Sequence, residues 1–175
     1  MTDLCARERA SFDLYANGYG ENQPPEVIVG AWGEVSAALA SAAVVGPGDA
    51  AAAAVLVGRF AWCLADAGRA VVEVPCRAAA ERWAAVASLV PSEWSAGPLA
   101  LAAAAYRGSG DERVGSRTAA QALAAMQDDP RRVGPGMGAW ERAASAVVWF
   151  AVEGSTAGQC LDSLRPFRAP VGGDR

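Results

Sequence analysis

Apolar positions recur along this chain at the three- and four-residue spacing of helices. The clearest stripe is Ile28, Trp32, Val35, Leu39 and Ala42. With Pro25 as a first-turn residue, it predicts a helix over 25–44. The other side of that helix carries only small residues: Gly30, Gly33, Ala37, Ala40 and Ser41. An interior glycine costs a helix about 1 kcal/mol relative to alanine. Tolerating two is expected where another backbone comes close, so this helix is expected to be central and packed on two sides.

Seven further helical segments follow from the same spacing and from Gly/Pro punctuation. The first covers 3–16, with Thr2 as its cap. After the Gly46-Pro47-Gly48 break, Asp49 caps a helix that ends before Gly68. A segment over 75–90 turns Cys76, Ala79, Trp83, Val86 and Val90 inward. The stretch 98–106 is almost entirely alanine and leucine. Ser116 caps a helix over 116–126, another spans 139–153, and a short one lies near 155–164. Only residues 71–74 show strand-like alternation, and four residues before Pro75 cannot found a sheet. The expected fold is all-α: a compact bundle of about seven or eight helices in a single domain. Residues 1–24 form an N-terminal helix and connector packed on it, 25–165 the bundle core and 166–175 a frayed tail.

Composition narrows the chemistry. In 175 residues, 53% apolar and 19% charged, there is material for one packed core. There is no histidine and no lysine, so all 15 basic residues are arginine. That removes Ser-His-Asp catalysis, histidine-based zinc sites, Schiff-base chemistry and the P-loop. A net charge of -4 argues against a nucleic-acid partner. Four cysteines stand without C-x-x-C spacing, which reads as free thiols, and no metal or cofactor is implied. No uncharged run reaches the roughly 18 residues of a membrane span, and the start lacks a signal-peptide pattern. A cytoplasmic protein is expected. The arginine bias and an alanine content of about a quarter match a GC-rich bacterial genome.

Three groups of residues are candidates for function. Residues 134–138, with Gly136 and Gly138 behind Arg131 and Arg132, form a glycine-rich helix entry that is able to meet an anion; a plain loop is the competing reading. The carboxylates Glu34, Asp66 and Glu153 are candidate acids or bases if buried, with Arg59 or Arg82 as partners; a structural ion pair is the competing reading. Asp128-Asp129 before Pro130 reads as a helix stop. Arg59, Trp62 and Asp66 share one side of the helix capped by Asp49, and Trp149 projects beside Arg142 on the segment 139–153. Tryptophan and arginine on polar faces mark an interaction surface, unless a neighbouring helix covers them. Cys76, turned inward, reads as structural.

The expected function is therefore a non-enzymatic interaction module: an adaptor, assembly factor, regulator or toxin-neutralising partner that binds another protein or itself. The alternative is a helical small-molecule binder, or a cofactor-free isomerase, cyclase or lyase, with a tryptophan-lined pocket and a buried carboxylate. Its ligand would be small and apolar.

Overall fold

A computed structural model of the chain describes residues 24–127 apart from Pro75. These residues form α1 (Pro25–Ser41), α2 (Pro47–Arg59), α3 (Ala61–Glu73), α4 (Arg77–Leu89), α5 (Ala96–Gly108) and α6 (Glu112–Gln127). A single 3-10 turn, Ser92–Trp94, precedes α5. No strand occurs among the described residues, so the fold is all-α. The predicted helices over 3–16, 139–153 and 155–164 lie outside them.

The predicted stripe on α1 is the buried one: Ile28, Trp32, Val35 and Leu39 face the core. Its centrality is not upheld. Gly30, Gly33, Ala37, Ala40 and Ser41 are exposed, and α1 packs chiefly on α2. The central helices are α2 and α5. The first touches α1, α3, α4, α5 and the 3-10 turn, and the second packs on α6, α4, α3 and α2. Both are alanine-rich, with Ala50 to Gly58 and Ala100 to Ala105 buried without interruption. Alanine gives up no side-chain entropy on burial and holds backbones close together. The larger volume comes from Leu56, Leu64 and Leu101.

The segment expected to run from an Asp49 cap to just before Gly68 differs at its start as well as its end: Gly46 is the N-cap, Asp49 lies inside the first turn, and the segment bends earlier and runs further. Phe60 takes an extended conformation (φ -116, ψ 105), ending α2 and starting α3 at an angle of 111°. Its N–H donates to Leu56 O at 2.9 Å, and its carbonyl accepts from Cys63 N at 2.9 Å. One residue thus satisfies terminal groups of both helices. A straight helix could not bury the nine residues 50–58 on all sides and still turn Cys63, Leu64, Ala67 and Val71 into the same core. Beyond the bend, α3 continues through Gly68 to Glu73, so the strand-like residues 71–74 are mostly its last turn.

Two more boundaries differ from expectation. The start of α6 is capped by Asp111, whose Oδ1 accepts from Val114 N at 3.4 Å, so Ser116 lies inside the helix. Cys76 is the N-cap of α4, where its Sγ accepts from Ala79 N at 3.3 Å; it is exposed rather than turned inward. Val86 and Val90 are buried as expected, and Ala79 and Trp83 pack partly buried against the core.

Candidate functional site

Three helices converge on one cleft of about 230 Å³. Its walls are Trp32, Ser36, Leu39 and Ala40 from α1, Asp66, Ala67, Ala70 and Val71 from α3, and Ala79, Arg82 and Trp83 from α4. On each helix these residues recur at helical spacing, so each presents one edge of its apolar side. Trp32 is buried, and Trp83 is half-buried.

The polar groups of the cleft differ in how they are partnered. The indole N–H of Trp32 donates to Asp66 Oδ2 at 3.0 Å, fixing the ring across the α1–α3 contact. The other carboxylate oxygen of Asp66 accepts from Arg69 in an ion pair one turn further along α3. With one strong donor on each oxygen, Asp66 acts as a clamp for the indole, and its charge is offset. Arg82 is different. It is half-buried, and among the described residues it has neither a hydrogen bond nor an ion pair. The neighbouring carboxylate on α4, Glu81, is taken by Arg77 at 3.0 Å. Ser36 likewise has an uncommitted hydroxyl among the described residues.

A second groove, wider and more open at about 730 Å³, runs between α4, the 3-10 turn, α5 and α6. Several of its hydroxyls are spent locally: Ser88 donates to Ala85 O, Ser95 to Ser92 O and Thr118 to Val114 O. Arg117, Gln121 and Tyr106 add polar side chains to its lining, but it is broad and open where the first cleft is narrow.

Of the candidate functional residues singled out in the sequence, Asp66 and Arg82 lie in the cleft. Arg59 does not share a helix side with Asp66, because the bend at Phe60 puts Arg59 on α2, whereas Trp62 stands one turn before Asp66 on α3. Arg59 lies over the Trp94 ring at 5.9 Å, a cation–π contact at the C-terminal end of α2. Trp62 is half-buried and packs against the core instead of standing on a polar face. Glu34 is exposed on α1, not held between two apolar faces. Glu153, Trp149, Arg142, Arg131, Arg132, Gly136 and Gly138 lie outside the described residues. Among the described residues no group of three potential metal ligands comes together.

Sequence reading assigned Trp32 and Trp83 to the core and passed over Ser36. It named Arg82 only as a possible ion-pair partner. The available signal was the i, i+4 pair Trp32/Ser36 and the adjacency of Arg82 to Trp83, but nothing local shows that three separate helices bring them together. No family model, curated protein or solved structure matches the chain.

Proposed function

We propose that this protein is a non-enzymatic binding protein that takes a small, largely apolar ligand in the cleft between Trp32 and Trp83. The observation that carries this reading is the Trp32–Asp66 hydrogen bond, which holds a large aromatic wall in place before any ligand arrives. Binding sites combine apolar and aromatic walls with a few placed polar groups, and preorganised walls lower the cost of binding. The size is restrictive. A dry cavity of about 150 Å³ takes benzene, so 230 Å³ suits one ring with a substituent or a small bicycle. Asp66, with both oxygens engaged, supports binding over proton transfer.

Saturation-transfer NMR with a set of single-ring fragments tests the reading on the full chain. Ala40 and Ala70 line the cleft from exposed positions, so Ala40→Leu or Ala70→Leu fills it without entering the core. Fragments should bind the parent protein and lose at least about tenfold in affinity to these variants, the cost of about 1.4 kcal/mol of excluded contact. Unchanged binding in both variants would place the fragments elsewhere and remove the proposal.

A second reading, a protein-interaction module, is favoured by a different surface. On α1, Val27 and Val29 are 46% and 39% exposed beside the small-residue side.

A further inference from the structure

We infer that the cleft selects small organic anions, and specifically single-ring carboxylates, with Arg82 as the residue that recognises the charge. This rests on the cleft being a ligand site and adds the chemical class of its ligand.

The argument is one of charge left over. Among the described residues the cleft lining holds two ionised groups, Asp66 and Arg82, and Arg69 pairs with the first. Asp66 and Arg69 cancel in their ion pair, and the Trp32 N–H further satisfies the carboxylate. Arg82 remains, a half-buried side chain whose nearest acid along α4, Glu81, is engaged by Arg77. A cation at the wall of an apolar cleft favours a ligand that brings the opposite charge. Elsewhere among the described residues Arg69 pairs with Asp66, Arg77 with Glu81 and Asp111, Arg107 with Glu112, and Arg59 lies over the Trp94 ring, while Arg113 and Arg117 are exposed on α6. Among the described residues Arg82 is the half-buried arginine without such a partner, and it lines the cleft.

The guanidinium presents a planar fork of donors that matches a carboxylate with two parallel hydrogen bonds. The Ser36 hydroxyl on the facing helix adds a donor from the α1 side of the same cleft. The apolar remainder, Trp32, Trp83, Leu39 and Val71, suits the ring. A cationic ligand would have the two indoles in its favour but would meet Arg82 and an Asp66 already neutralised. The volume of about 230 Å³ matches a single substituted ring.

The test uses three probes of one shape on the full-length protein: benzoate, benzamide and benzylammonium. Binding is read as shifts of the Trp32 and Trp83 indole N–H and Arg82 Nε–H signals in nitrogen-15 NMR. Benzoate should bind at least about tenfold more tightly than benzamide, the size expected of a charge-assisted hydrogen bond. Benzylammonium should bind weakest. Arg82→Gln should bring benzoate down to the level of benzamide in the same variant, removing the tenfold preference, with the thermal midpoint unmoved as the folding control. Ser36→Ala should cost benzoate a smaller factor. Equal binding of benzoate and benzamide, or no loss in Arg82→Gln, overturns the anion assignment while the cleft reading survives. A preference for benzylammonium overturns it in favour of the indole faces. If no probe moves either indole signal, the cleft reading itself fails, and this inference with it.

Discussion

At the scale of single residues, Cys63 is the group whose ionisation the fold opposes most clearly. It sits in the core beside Leu64 on α3, and burial pushes its thiol well above the ordinary range, with the nearby negative charge of Asp66 adding to the effect. A raised thiol pKa gives a definite sign. Below about pH 8.5, the ordinary cysteine value, the thiol is protonated in both states and the folded state keeps its full stability. Above it the unfolded chain releases a proton that the folded chain retains, so stability falls as pH rises. The expected slope from this one thiol is about 1.4 kcal/mol per pH unit. Urea unfolding under reducing conditions between about pH 7.5 and 10.5 measures it. Cys63→Ala should be less stable at neutral pH, because it opens a small void, yet should lose stability more slowly above about pH 9. Equal alkaline slopes in the two proteins would show that the thiol already ionises in the native state.

Between elements, the close approach of α5 and α6 explains a boundary that local signals misplace. Ser116 followed by a run of small and apolar residues looks like a helix start, and Gly115 before it looks like a loop. In the fold Gly115 is helical because the two helices touch there. A Cβ at this position would overlap the Arg107 side chain and come within 3.1 Å of Ala103 O. The glycine marks a packing contact, which no single-helix pattern reveals. The turn itself is built on Gly110, at φ +90. Asp111 N–H donates to Tyr106 O at 2.9 Å and Gly110 N–H to Arg107 O at 3.0 Å, the paired bonds of a Schellman turn. The next residue, Asp111, then caps α6. Asp111→Ala should therefore cost about 1 kcal/mol, measured by thermal or urea unfolding, whereas Ser116→Ala, at an exposed interior position, should be neutral or slightly stabilising. Asp111→Asn should recover most of the loss, since the side chain still accepts from Val114 and the exposed Arg77 pair it gives up is worth little. If Ser116→Ala proved the costly change, the helix would begin where the sequence alone placed it.

Across the whole molecule, the sequence was most informative where the core decides and least where separate segments meet. The stripe on α1 and the burial of the alanine-rich α5 follow from periodicity, because one apolar side must face inward whatever the topology. The bend at Phe60 has no proline or adjacent glycine to announce it. It arises because residues 50–58 and α3 must enter the same core, and it separates Arg59 from Trp62 and Asp66, which stay one turn apart on α3. The cleft was illegible for a similar reason: Trp32 and Trp83 read as core-facing residues and Asp66 as part of a surface or a candidate acid, but their convergence belongs to the tertiary packing. The small-residue side of α1 remains as the sharpest test of the interaction reading against the cleft. Nothing lies within 4 Å of a Cβ built at Gly30 or Gly33. If that side stays open in solution, Gly30→Ala and Gly33→Ala each stabilise the protein by up to about 1 kcal/mol through helix propensity. Unfolding experiments over a range of protein concentrations, with sedimentation in parallel, measure both stability and association. Stabilisation in both variants with no change of mass leaves the cleft as the functional surface. A loss of stability that appears only at high concentration, together with a loss of a dimer, would mean that a second copy packs its backbone against these glycines, and would move the function from the cleft to the outer face of α1.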